Sequence, residues 1–226
     1  MVLIQRAHQE SMEISQWLPN EVLLHIIEHS PKADQATLSS ISKLFRGLCL
    51  PVLYRVVKIK GYHAMKSFCS GTIENPSRGD SVRSFTLDVP YSSSHIEGHS
   101  ALILAALKLM PKLEHLSVSE SILDTHHGHL LLEQGSFPQL ISCNLWVPSD
   151  ALDGFPAKPS DLGVAFLARH STLKRVHLHS EDEMVPPQPV RISLPNLELY
   201  EGNAAFILAI DAIALKRGPT FLAFPG

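Results

Sequence analysis

No stretch of this sequence approaches the eighteen or so consecutive apolar residues that a membrane-spanning helix requires. The strongest candidate, Ala204 to Leu215, carries Asp211 in its middle and stops at Lys216-Arg217, which is the pattern of a core helix. The opening Met-Val-Leu-Ile is broken by Gln5 and Arg6 before it reaches the length of a signal-peptide core. Cysteine is scarce: Cys49, Cys69 and Cys143 are widely spaced and each lies beside apolar residues. That excludes a disulfide framework and predicts reduced, buried thiols in an intracellular protein, cytoplasmic or nuclear. Positive charge is not in excess either, since the net charge is −3 and the pI is near 6.5. Nucleic acid and anionic membranes therefore find no basic field to bind. Charged residues make up only 18% against 45% hydrophobic, the balance of a folded chain with a substantial core.

The motifs of catalysis are also missing. The chain has no Gly-x-Ser-x-Gly elbow, no phosphate-binding Walker loop, no Gly-x-Gly-x-x-Gly and no Cys-x-x-Cys, so no nucleophile, nucleotide or redox site is nominated and no cofactor is expected. Thirteen histidines invite a metal reading, cluster by cluster. His25 and His29 are four apart on a helical pattern, but nothing completes the ligand set. His95-Ile96-Glu97-Gly98-His99 has the wrong order for His-Glu-x-x-His, and Gly98 is a poor helix former. His126-His127-Gly128-His129 reads as a turn-like, solvated loop. No metal site is expected.

What the sequence does contain begins at Leu18. Pro19 suits the first turn of a helix, where its missing N–H is not needed, and Glu21 places negative charge at the positive helix end. At 100° per residue Val22, Leu23, Ile26 and Ile27 share one broad face while Leu24 points the other way, so this helix is apolar on more than one side. Leu38, Ile41, Phe45 and Leu48 then recur at helical spacing, and Pro51 closes that helix or opens a third. Gly47 inside it costs roughly 1 kcal/mol against alanine. Three short helices in so few residues bury too little to stand alone and predict a surface completed by something else.

Leu18-Pro19-x-Glu21-Val22-Leu23-x-x-Ile26, Leu38-x-x-Ile41-Ser42-Lys43-x-Phe45-Arg46-x-Leu48 and Pro51-x-Leu53-Tyr54-Arg55-x-Val57 together resemble an F-box, here spanning residues 17–58 after a tail, 1–16. The link Ser30-Pro31-Lys32-Ala33-Asp34-Gln35 is more polar than the family pattern. The resemblance implies a three-helix module docked on the Skp-type adaptor of a cullin-RING ubiquitin ligase. Carried over by position, the adaptor-facing candidates are Leu18, Pro19, Val22, Leu23, Ile26, Leu38, Ile41, Ser42, Phe45 and Leu48.

Beyond Tyr54 a short strand is expected at Val57-Lys58-Ile59-Lys60, then a turn at Gly61 and a helix through Ala64, Met65, Phe68, Cys69 and Ile73. Asn75 to Asp80 reads as a stop-and-turn cluster. One template then recurs: Val82-x-x-Phe85-x-Leu87, Leu113-x-x-Leu116-x-Val118, Leu140-x-x-Cys143-x-Leu145, Leu173-x-x-Val176-x-Leu178, and a looser fifth beginning Leu197-x-x-Tyr200. The first strand is expected at Val82 to Val89. Between strands lie helical patterns at Ala101–Leu109, Leu130–Leu132, Leu162–Leu167 and Phe206–Ala214. Glu181 to Val190, rich in charge and proline, is a surface excursion.

Strands alternating with helices favour a stack with parallel strands on one face, and 61–226 resembles a divergent leucine-rich-repeat region of the kind that accompanies F-boxes in fungal families. The alternative is an ordinary α/β domain of four or five strands. The apolar end, Gly218 to Gly226, has no polar cap, which fits a shortened product or a face that leans on a partner. Ser117, Ser119, Asn144, Trp146, His177 and His179 alternate with the apolar strand positions and form the expected recognition surface, with Trp146, His177 and His179 as candidate substrate contacts. The fold class is thus an N-terminal three-helix F-box followed by an irregular α/β solenoid with a parallel strand row. Its expected role is that of a non-catalytic substrate receptor; the alternatives are a repeat scaffold detached from any ligase and, more remotely, a small α/β enzyme with a Ser, His and Asp cluster.

Overall fold

The computed structural model describes residues 18–88, 100–119, 125–147, 159–179, 192–202 and 220–222. The expected tail, the His95–His99 cluster, the Glu181–Val190 excursion and the helix through Ala204–Leu215 lie outside them. The chain divides into two compact units, Met1–Arg55 and Val56–Gly226. The boundary falls ahead of the strand after Arg55, which therefore opens the second unit instead of ending the first.

The described residues of the first unit form three helices: α1 (Asn20–His29), α2 (Lys32–Ile41) and α3 (Lys43–Leu53). Pro19 immediately precedes α1, and its carbonyl accepts from the N–H groups of Val22 and Leu23 at 3.0 and 3.2 Å. The polar link foreseen between the first two helices shrinks to Ser30-Pro31, because Lys32 to Gln35 are already helical. Gln35 explains that polarity. It is buried and donates its amide hydrogens to the carbonyls of Ile27 and Ser30, both at 2.8 Å, the former also accepting from the Ser30 N–H, so it clamps the end of α1.

The second break was expected at Pro51 and occurs at Ser42. Ser42 turns extended (φ −151°, ψ 165°) and its hydroxyl accepts from the Phe45 N–H at 3.2 Å, an N-cap that stops α2 and starts α3. Pro51 is accommodated inside the last turns of α3. Gly47 is exposed in α3, and a Cβ there would meet nothing within 4 Å. Gly47→Ala is therefore expected to stabilise this unit by about 0.5–1 kcal/mol through reduced backbone entropy, measured by urea unfolding followed by circular dichroism.

The second unit is built on a parallel sheet in strict chain order: β1 (Val56–Lys60), β2 (Ser84–Asp88), β3 (His115–Val118), β4 (Ser142–Trp146), β5 (Arg175–His179) and β6 (Leu199–Gly202), with a short β7 (Thr220–Leu222) beside β6. The described helices of this unit are α4 (Tyr62–Glu74), α5 (Pro76–Ser81), α6 (Ser100–Leu107), α7 (Thr125–Gln134) and α8 (Pro159–Arg169). Two of them replace expected loops. The stop-and-turn cluster is the short helix α5, started by Pro76 at its first position. The histidine run is the first part of α7, with His129 buried rather than solvated.

Strands β1 to β5 bury alternate residues, among them Phe85 and Leu87, Leu116 and Val118, Cys143 and Leu145, Val176 and Leu178. The first residue of the recurring template does not enter the strand. Val82, Leu113, Leu140, Leu173 and Leu197 are all buried in a turn just before it, and each N–H bonds the carbonyl three residues back at 3.0–3.2 Å. The carbonyl of the next residue then takes two N–H groups from the start of the following strand, as Arg83 does from Glu114 and His115, and Lys174 from Glu198 and Leu199. The fifth template is loose for a backbone reason. Gly202 stands where the others have leucine or valine, at φ +145°, and a Cβ there would lie 2.1 Å from the Leu178 carbonyl oxygen.

His170 fills the turn position held elsewhere by Gly79, Met110, Phe137 and Leu194. Its Nδ1 contacts the Phe166 carbonyl at 2.6 Å, while its Nε2 accepts from the Phe137 N–H at 3.0 Å, so the neutral ring bridges the end of α8 and the turn before β4. Burial, with a smaller push from Arg169, holds this imidazole below the ordinary histidine range, against the opposing Phe166 hydrogen bond. Below about pH 6.5 the unfolded chain takes up a proton that the folded chain refuses, so stability present above that pH is lost as pH falls toward the lower folded value. His170→Leu should be less stable at pH 7.5 by about 1–3 kcal/mol and show a flatter decline between pH 7.5 and 5.5, read by thermal unfolding. Cys69 and Cys143 are free, buried thiols pushed up to about 12 by burial, and burial also raises Cys49.

Candidate interaction surfaces

In the first unit the apolar face foreseen for α1 splits in two. Leu23 and Ile27, four apart, are 5% and 1% exposed, whereas Val22 and Ile26, one step round the helix, are 43% and 51% exposed. Ile41 at the end of α2 and Leu44 at the start of α3 are also exposed. Among the adaptor candidates, Val22, Ile26 and Ile41 are thus open, Leu18, Leu38, Phe45 and Leu48 half-buried, and Pro19 and Ser42 exposed at helix starts. Leu23 differs from the other candidates in being buried in the core of this unit. Leu44 was missed because the cap at Ser42 resets the helical phase, so spacing counted from Leu38 does not carry across it.

In the second unit the strand positions opposite the core form register rows across the sheet. Lys58, Thr86, Ser117, Asn144, His177 and Glu201 are successive partners from β1 to β6. His177 Nδ1 lies 2.5 Å from Glu201 Oε2, and both side chains are about three-quarters buried, at 25% and 22% exposure. Sequence reasoning placed His177 and His179 on this face and missed Glu201. Aligning Tyr200-Glu201 on Val176-His177 of the previous template would have found it. His179 is exposed and stands in register with Trp146. Trp146 is half-buried and also lines a narrow cleft with Val118, Leu131, Leu132 and Leu145, so its ring belongs partly to the apolar layer.

A shallow depression of about 220 Å³ opens over β2 to β5, lined by Thr86, His115, Ser117, Ser142, Asn144 and His177 beside Phe85 and Leu116. Among the described residues no serine hydroxyl is hydrogen-bonded to His177, and no group of histidine, cysteine and carboxylate side chains is arranged to hold a metal ion. No helix among them is long and apolar enough to cross a membrane.

The helix boundaries, the Leu-Pro start and the exposed apolar positions of the first unit meet an independent comparison: the family model for the F-box domain matches residues 16–52. These residues are an F-box domain. An F-box implies an adaptor-type role in an SCF ubiquitin ligase, because such domains bind Skp-type adaptors of cullin-RING ligases. F-box proteins are generally non-catalytic adaptors for substrate. The F-box matched here covers α1, α2 and nearly all of α3. No curated protein matches the chain.

Proposed function

We propose that this chain is the substrate-recognition subunit of an SCF-type ubiquitin ligase, itself non-catalytic, with the F-box on the Skp-type adaptor and the strand row holding a protein substrate. The observation that carries the reading is the set of large apolar side chains left exposed on the F-box, namely Val22, Ile26, Ile41 and Leu44. A small three-helix unit with that much hydrocarbon in water gains from a partner that covers it. Each fully covered side chain of this kind is worth about 1.5–3 kcal/mol. The region from Val56 onward is read as a divergent leucine-rich-repeat array. That reading is supported by strands laid down in chain order and by the turn and paired carbonyl acceptance that recur before them. Repeats of this kind stack on their neighbours and expose one strand face for binding.

The mechanism is proximity. A substrate held on the same assembly as a charged conjugating enzyme meets it at a high effective concentration, with no chemistry from this chain, in the cytoplasm or nucleus. Co-purification of the tagged chain with a Skp-type adaptor tests the reading. If the adaptor fails to co-purify with Leu18 and Pro19 intact, the chain is a repeat scaffold detached from any ligase. The chain expressed alone should also be poorly soluble and recover on co-expression with the adaptor. Equal soluble yield in both conditions counts against the proposal.

A further inference from the structure

The open face of the strand row differs in charge from the chain that carries it. Its described positions hold three full cations, Lys58, Lys60 and Arg175, against two carboxylates, Asp88 and Glu201, on a chain of net charge −3. Both carboxylates already have basic neighbours. Asp88 stands opposite Lys60 in the β1–β2 register, and Glu201 is in contact with His177. The depression over β2 to β5 is lined by Thr86, His115, Ser117, Ser142, Asn144 and His177, and no carboxylate lines it. The hydroxyls, the Asn144 amide and the His115 imidazole can donate hydrogen bonds, while the Nδ1 of His177 is already engaged by Glu201. Arg175 stands next to Ser142 in register, and Lys58 next to Thr86. Among the described residues of the second unit the large exposed apolar side chains, Val56 and Ile73, do not line the depression, and the apolar residues that do, Phe85 and Leu116, are buried.

We infer that this depression receives the carboxylate of an aspartate or glutamate on an extended, acidic segment of the captured protein. The inference rests on the substrate-receptor reading and names the chemistry of the substrate. Neighbouring strands lie about 4.8 Å apart, and alternate side chains of an extended segment about 7 Å apart. A segment lying across the strands therefore sets one carboxylate among the donors of the depression and the next near Lys58 or Arg175. Charge-assisted bonds of this kind are stronger than those to a neutral amide, which makes the negative charge the feature selected. Opposed potentials also favour rapid encounter.

Anisotropy of short labelled peptides, titrated with the full chain together with any adaptor that co-purifies, tests this. The peptides alternate Glu-Ser, Gln-Ser, Lys-Ser, or phosphoserine-Gly. The Glu-Ser peptide should bind about tenfold or more tighter than Gln-Ser and weaken as salt rises. Arg175→Gln, at an exposed site, and the near-isosteric Asn144→Asp should each weaken it about fivefold or more, with circular dichroism unchanged. Equal binding of Glu-Ser and Gln-Ser, or preference for Lys-Ser, overturns the inference. Binding of the phosphoserine peptide alone also overturns it, by assigning the depression to phosphoryl groups. Adaptor co-purification is scored separately, so lost peptide selectivity with the adaptor retained counts against this inference and not against the ligase reading.

Discussion

Replacing Ile26 and Ile41 together by aspartate is expected to abolish co-purification with the Skp-type adaptor while leaving the F-box folded. Both side chains are largely exposed, at 51% and 44%, so the substitution removes hydrocarbon from water-facing positions and disturbs no core packing. Surface changes of this sort alter stability by roughly 0.5 kcal/mol or less. Loss of two central apolar anchors, with a charge now facing the partner, costs about 3 kcal/mol or more of binding, which is a hundredfold or more in Kd. Calorimetry with purified adaptor gives the affinity, and urea unfolding the stability. Leu23→Ala separates the two readings. Leu23 is buried, so its truncation should destabilise the domain by about 2–5 kcal/mol and weaken adaptor binding only through unfolding. If Ile26→Asp with Ile41→Asp leaves binding intact, the adaptor uses another face or none.

Phe166→Ala should produce the largest loss of stability in the second unit, about 3–5 kcal/mol. Phe166 in α8 is fully buried, its ring centroid is 4.3 Å from that of His170, and the Arg169 guanidinium carbon lies 5.9 Å from it. Beside Phe166, the side chains of Arg169, His170 and Thr172 tie this segment to the strand-and-turn segment before it. Arg169 donates to the carbonyl of Leu132, His170 accepts from the Phe137 N–H, and Thr172 donates to the Leu140 carbonyl at 2.7 Å. If the strand row is the nearest-neighbour array proposed above, loosening one element should spread first to its neighbour. Amide exchange at Phe137, Ile141 and Ser142 is thus expected to lose protection in Phe166→Ala before amides in β1 and β2 do. Ala168→Ser, at an exposed site of the same helix, is the matched change and should be nearly silent. Uniform loss of protection across the sheet would show a single cooperative core rather than coupled repeats.

Much of this was legible beforehand. The helical pattern Leu162–Leu167 and the template from Leu173 were both in the sequence, and they flank the turn where helix, strand and side-chain bonds to the preceding segment meet. Strict alternation placed His177 and His179 opposite the core, since the strand period of two leaves no choice once Val176 and Leu178 are buried. Elsewhere local signals misled. Asn75 to Asp80 and His126 to His129 look like turns by composition, yet both are helical, because packing can outweigh weak intrinsic preference. Gln35 looked like linker polarity and is a buried clamp on the end of α1.

By itself the sequence determined the periods: three helices from Pro19 to Leu53, then strands and helices in alternation, with one apolar side to each strand. Those follow from local stereochemistry, which the order of residues specifies directly. Only the tertiary structure decided which of two adjacent apolar stripes on α1 is covered and that Glu201 meets His177. These depend on residues brought together from separate elements, and neither a hydrophobic period nor a spacing encodes which neighbour arrives.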